Sequence, residues 1–131
     1  MNEALKILSV DDDFINLKLI SSMLKKNDKV ESIIEAKNGL EAIDILTKNP
    51  NISDILLDIK MPVMDGIEFL DTIQSYSQFK NIPIVILTTD ETRKSEALDK
   101  GACDFLVKPI REAELTKKID KIAQLQAENQ N

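Results

Sequence analysis

Asp11 and Asp12 close one apolar, β-branched run, Ile7-Leu8-Ser9-Val10, and Asp58 closes another, Ile55-Leu56-Leu57. If both runs are parallel strands of one sheet, the three carboxylates converge at its C-terminal edge, where open α/β sheets bind ligands. Two later runs end in further useful groups. Thr88 follows Ile84-Val85-Ile86-Leu87, and Lys108 follows Phe105-Leu106-Val107. Three acids, a hydroxyl and an ammonium at one rim point to a divalent cation and a phosphoryl group. Carboxylates held together repel one another and favour a dication, which in turn neutralises an incoming phosphoryl anion. Mg²⁺ suits such a site because it takes a few carboxylates plus waters and leaves positions for phosphoryl oxygens. A carboxylate can itself become an acyl phosphate, and phosphoryl transfer asks mainly for positioning and charge stabilisation.

The elements that would hold these groups alternate along the chain. Strands are expected at 6–10, 32–35, 54–57, 82–87 and 104–107, mostly near-continuous apolar runs of the kind that sheets covered on both faces require. Between them lie stretches of helical spacing. The first places Leu19, Ile20, Met23 and Leu24 on one face. The second starts near Gly39, buries Ala42, Ile43 and Leu46, and stops before Asn49-Pro50. A third begins at Gly66 with Ile67, Leu70 and Ile73. The fourth, about 90–100, has only Ala97 and Leu98 as apolar residues and ends at Gly101, a natural left-handed cap. The fifth starts near Glu112 and carries Leu115, Ile119 and Ile122 on one stripe. Five βα units in a row imply a flavodoxin-like, doubly wound α/β fold: a five-stranded parallel sheet in the order 2-1-3-4-5.

Composition bounds the possibilities. With 131 residues, 43% hydrophobic and 31% charged, the chain suits one ordered domain that buries roughly two-thirds of its extended surface. A formal charge of −6 gives no electrostatic footprint for nucleic acid. No apolar run approaches the ~20 residues that cross a bilayer, and Met1-Asn2-Glu3-Ala4-Leu5 lacks the parts of a signal peptide, so a cytoplasmic location is expected. The lone Cys103 excludes an internal disulfide and reads as a small core residue. The absence of histidine removes Ser-His-Asp and Cys-His nucleophiles, histidine-ligated metals and self-phosphorylation on histidine.

Four motifs occur in order at the expected strand ends: Val-Asp-Asp-Asp at 10–13, Leu-Leu-Asp-Ile-Lys-Met-Pro-Val-Met-Asp-Gly at 56–66, Leu-Thr-Thr at 87–89 and Val-Lys-Pro at 107–109. Together they resemble the receiver domain of bacterial two-component response regulators, over about residues 6–123. Paired aspartates or Lys-Pro alone would be weak, whereas Asp-x-x-Met-Pro-x-Met-Asp-Gly after a buried strand is specific. The resemblance implies that Asp58 accepts a phosphoryl group from a phosphohistidine on a histidine kinase or histidine phosphotransfer protein. It implies Mg²⁺ (or Mn²⁺) held directly by Asp12, mainly through water by Asp11, and by Asp58 and the Lys60 carbonyl. Thr88 and Lys108 would contact phosphoryl oxygens. Thr88 and Phe105 match the switch positions, with Phe105 departing from the frequent tyrosine, and they would relay phosphorylation to the surface of helix 4, strand 5 and helix 5. Lys60 and Asp90 match positions that tune phosphoryl lifetime, and Pro109 would follow a cis peptide bond.

Several residues have plainer readings beside these. Asp13 reads as the cap of the first helix, Asp65-Gly66 as turn and helix-start chemistry, and Asp54 as a solvated or capping residue where a strand opens. Met61 and Pro62 shape the loop after Asp58. The expected unit is a receiver domain at 1–123 followed by a polar, fraying tail or linker at 124–131, acting on a downstream protein or a fused output domain without direct nucleic-acid or membrane contact. Two rivals stand beside it: a Mg²⁺-dependent phosphohydrolase with Asp58 as nucleophile, and a receiver-like interaction module that is never phosphorylated.

Overall fold

The computed structural model describes residues 4–129, so residues 1–3 of the N-terminal reading and 130–131 of the tail lie outside the described residues. Five strands, β1 (Leu5–Val10), β2 (Val30–Ala36), β3 (Asp54–Leu57), β4 (Ile84–Thr88) and β5 (Asp104–Val107), alternate with five helices. These are α1 (Phe14–Leu24), α2 (Gly39–Lys48), α3 (Gly66–Gln74), α4 (Lys94–Asp99) and α5 (Glu112–Asn129). All strand pairings are parallel, and the order is β2-β1-β3-β4-β5, as the alternation of elements predicts. This is a flavodoxin-like arrangement.

Alternation along each strand divides the core into two layers. Leu8, Val10, Ile55, Leu57, Ile84 and Ile86 pack with Ala42 and Leu46 of α2, Phe69, Leu70 and Ile73 of α3, and Ala97 of α4. Leu5, Ile7, Leu56, Val85, Leu87 and Leu106 pack on the other face with Ile20 and Leu24 of α1 and with Leu115, Ile119 and Ile122 of α5. Both faces are therefore covered. That is why the inner strands read as continuous apolar runs.

Register aligns the functional ends. Val10 sits opposite Leu57, Leu57 opposite Ile86, and Thr88 opposite Val107. The residues immediately after β1, β3 and β5 therefore emerge side by side at one rim, next to Thr88 at the end of β4.

Five expectations need correction. In α1 the buried set is Leu17, Ile20, Ser21 and Leu24, while Leu19 is 47% exposed; the covered stripe is i, i+3, i+4, i+7 counted from Leu17. Strand β4 opens at Ile84 rather than at 82, after Pro83, which has no N–H for the ladder. Cys103 is exposed, because it lies in the loop before β5 rather than in the strand. The polar stretch 124–129 continues α5, and Gln126 donates from its amide nitrogen to the Ser53 carbonyl at 2.7 Å. Asp54 is not solvated: it is 0% exposed, at the buried start of β3.

Candidate functional site

The rim is assembled by backbone hydrogen bonds before any side chain acts. Asp11 N–H donates to the Ala36 carbonyl at 3.0 Å, Asp58 N–H to the Val10 carbonyl at 2.9 Å, and Lys108 N–H to the Thr88 carbonyl at 2.7 Å. Each functional residue thus continues its strand's ladder by one step. Its side chain is placed by the sheet rather than by a free loop.

Asp11, Asp12 and Asp58 each offer a carboxylate oxygen, and these atoms all lie within 4.8 Å of one another. Asp11 and Asp58 are 6% and 7% exposed, whereas Asp12 faces solvent. Lys108 reaches in from the end of β5, with its Nζ 2.9 Å from Asp11 Oδ2 and 3.4 Å from Asp58 Oδ1. The peptide bond between Lys108 and Pro109 is cis, as expected.

Electrostatics at the site follow from this crowding. Burial, partly offset by the Lys108 charge and reinforced by Asp11, pushes the Asp58 carboxyl up to about 6. Burial alone would lower Lys108, but its hydrogen bond to Asp11 and the charges of Asp58 and Asp11 outweigh this and leave it above the usual lysine value. Hard, anionic oxygens with one solvent-facing member form the donor set that Mg²⁺ or Mn²⁺ takes. The residues present fit a divalent cation.

Thr88 is buried at the end of β4, and its hydroxyl accepts a hydrogen bond from Asp90 N–H at 3.2 Å. Phe105 is buried on β5, with the Lys94 ammonium 5.8 Å from its ring centroid. Asp90 caps a short 3-10 turn, Glu91–Arg93, accepting from Thr92 N–H at 3.0 Å and from the Thr92 hydroxyl. Those hydrogen bonds, and then the Lys60 charge, hold its carboxyl below the ordinary value. Lys60 is exposed beyond Asp58, close enough for Asp90 to feel it.

The plainer readings of Asp13 and Asp65 hold. Asp13 caps α1, accepting from Ile15 N–H at 2.9 Å. Asp65 and Glu68 form a reciprocal capping box on α3. Two features near the site have no signature in the sequence: Val63, at a φ of 69°, and the seating of Met64 on Gly39. In the sequence Gly39 signals only the start of the second helix.

Comparison with known proteins agrees with this geometry. The model of the response regulator receiver domain family matches residues 7–120. The chain is 33% identical over 120 residues to the two-component response regulator ORR7 of Oryza sativa subsp. japonica, covering 90% of this chain and 56% of that protein. It therefore spans little more than half the length of that relative. The chemotaxis protein CheY homolog of Campylobacter jejuni is 31% identical over 121 residues, covering 90% of this chain and 92% of that one. The receiver domain of the sensor histidine kinase PA1611 of Pseudomonas aeruginosa was solved with a magnesium ion coordinated in its active-site cleft. It superposes with a TM-score of 0.82 at 25% identity, over 92% of this chain and 98% of that one. This chain belongs to the response regulator receiver domain family of two-component signalling.

Proposed function

We propose that Asp58 is the phosphoacceptor and that Asp11, Asp12, Asp58 and the Lys60 carbonyl hold Mg²⁺ (or Mn²⁺). The single observation that carries this reading is a nearly buried carboxylate, ordered at a strand end, with two further carboxylates and an ammonium converging on it. In the transfer, an Asp58 carboxylate oxygen attacks phosphorus and the P–N bond of a partner's phosphohistidine breaks. The electron pair stays on the imidazole. Lys108 supplies a positive point charge, and the Thr88 hydroxyl a donor, to the phosphoryl oxygens. When bound, the dication offsets the charge of the incoming anion. Reversal by water returns the Asp58 carboxylate and inorganic phosphate, so the chain acts as a self-catalysed phosphoacceptor and not as an enzyme turning over an external substrate.

The donor is a histidine kinase or histidine phosphotransfer protein, since this chain has no histidine of its own. Thr88 moving onto the phosphoryl group, with Phe105 following, favours one conformation of α4, β5 and α5, a population shift with differential contacts as its cause. That surface addresses a downstream protein or a fused output domain. Residues 1–123 form the receiver unit, and the helical 124–129 leads from it. No helix among the described residues is long and apolar enough to cross a membrane, and we place the protein in the cytoplasm.

The test is intact-protein mass after incubation with Mg²⁺ and acetyl phosphate, comparing wild type with Asp58→Asn. One base-labile phosphoryl adduct on the wild type alone is expected. No adduct under any donor would leave the unphosphorylated interaction module as the better reading.

A further inference from the structure

The loop between β3 and α3 carries Asp58 at its start, and three contacts set its path. Gly66 N–H donates to the Ile59 carbonyl at 2.8 Å, and a Cβ at Gly66 would lie 2.4 Å from the Asp58 carbonyl oxygen. Met64 N–H donates to the Pro62 carbonyl at 2.7 Å, closing a three-residue turn on Val63. Val63 has a φ of 69°, which β-branched residues rarely adopt, and it is 73% exposed, so its own side chain does not hold it there. Something outside the turn must.

That something is the start of α2. Gly39 N–H, one of the amides a helix N-terminus leaves free, donates to the Met64 carbonyl at 2.9 Å. A Cβ at Gly39 would lie 2.7 Å from Met64 Cγ, 2.9 Å from Met64 O and 3.0 Å from Met64 Sδ. Gly39 does not have the left-handed backbone that would call for glycine, and a first helical position ordinarily favours other residues. The need is for space. The joint is firm on its own side: the Asn38 side chain accepts from Glu41 N–H at 2.8 Å, and Glu41 Oε1 accepts from Lys37 N–H at 3.1 Å. Three residues before Gly39, the Ala36 carbonyl accepts the Asp11 amide. One short joint thus fixes both the strand end that bears Asp11 and the loop that follows Asp58.

We propose that Gly39 is a positioning residue for phosphoryl transfer, acting through Met64 to set the loop after Asp58 and so the Asp58 carboxylate and the Lys60 carbonyl. The inference rests on the reading of Asp58 as phosphoacceptor. In Gly39→Ala the new methyl pushes Met64 away and the loop shifts. The first-order rate of adduct formation from acetyl phosphate falls about tenfold or more, the Mg²⁺ concentration at half-maximal rate rises, and the amide resonances of residues 58–60 move in the metal-free protein. Gly39→Ala/Met64→Ala, which removes Cγ and Sδ from the methyl's path but leaves its 2.9 Å approach to the Met64 carbonyl oxygen, recovers part of the rate.

Wild-type rate and Mg²⁺ dependence in Gly39→Ala would overturn the proposal. A rate loss that only follows the unfolded fraction, with no recovery in the double variant, would overturn it too. Should Gly39→Ala not fold, Met64→Ala alone, which empties the seat, decides: slower adduct formation with an intact fold supports the role, and an unchanged rate overturns it. Wild type that takes up no phosphoryl group would instead overturn the assignment of Asp58, and this inference with it.

Discussion

Asp54 is as deeply buried as any residue of the fold, and neither of its carboxylate oxygens has a hydrogen-bond partner among the described residues. Burial pushes its pKa from 3.8 up to about 7. The folded state therefore holds a proton that the unfolded state releases above about pH 4, and stability contributed by the neutral acid is lost as pH rises towards 7. Urea melts at pH 5 and pH 8 should show wild type less stable at the higher pH, with Asp54→Asn reducing that difference to the part that the raised Asp58 carboxyl contributes. Asp54→Val, which removes the orphaned polar atoms, is expected to gain about 1–3 kcal/mol at pH 8. A wild type equally stable at both values would mean that the carboxyl is solvated after all. Sequence could not show this burial. An aspartate that opens a strand looks like a solvated end, and only the covering of the Leu56 face by α5 reveals otherwise. The rim residues were legible for the opposite reason: Asp11, Asp58 and Lys108 each directly follow an apolar run, so locating the strands located them. A smaller effect is expected at Lys60. Its exposed charge should lengthen the life of phospho-Asp58 only about two- to fivefold, so Lys60→Ala should shorten it by that factor when decay is followed by intact mass.

At the scale of elements, α4 is the weak member. It is six residues long with only Ala97 buried, as the sparse apolar pattern of 90–100 foretold. Its amides should exchange with solvent faster than those of α3, which buries five of its nine residues. Phosphorylation should change exchange most in α4 and β5, and uniform change across the sheet would argue against a switch confined to that side. The end of α4 depends on Gly101, at a φ of +112°, where a Cβ would lie 2.3 Å from Gln74 Nε2. Gly101→Ala is expected to lower stability by about 1–3 kcal/mol in urea melts. That glycine was legible as a cap. The face of α1 was not, because Leu17 and Leu19 are equally apolar and only the docking angle decides which is covered. The helical state of 124–129 was also hidden: six mainly polar residues gain little from their own burial, and the Gln126 amide on Ser53 is a tertiary contact.

For the whole molecule, the acid cluster sets function against stability. The protein carries a formal charge of −6 and gathers three carboxylates within 4.8 Å, with Lys108 the only cation paired with them among the described residues. A dication bound there stabilises the folded state by RT ln(1 + [Mg²⁺]/Kd), about 1.4 kcal/mol for each tenfold rise above Kd. Thermal melts should therefore move upward with the logarithm of Mg²⁺ concentration. Asp12 is exposed and makes no salt bridge among the described residues, so Asp12→Ala removes repulsion without leaving a partner stranded. In chelator, Asp12→Ala should melt higher than wild type; in millimolar Mg²⁺, the order should reverse, because the variant has lost a ligand. Sodium chloride separates the two effects. Screening by monovalent salt should narrow the gap seen in chelator, yet it cannot reproduce the Mg²⁺-dependent rise, which requires a bound ion rather than a diffuse atmosphere. If Mg²⁺ and sodium chloride at matched ionic strength raise the wild-type melt equally, the cluster is a patch of like charge and not a metal site.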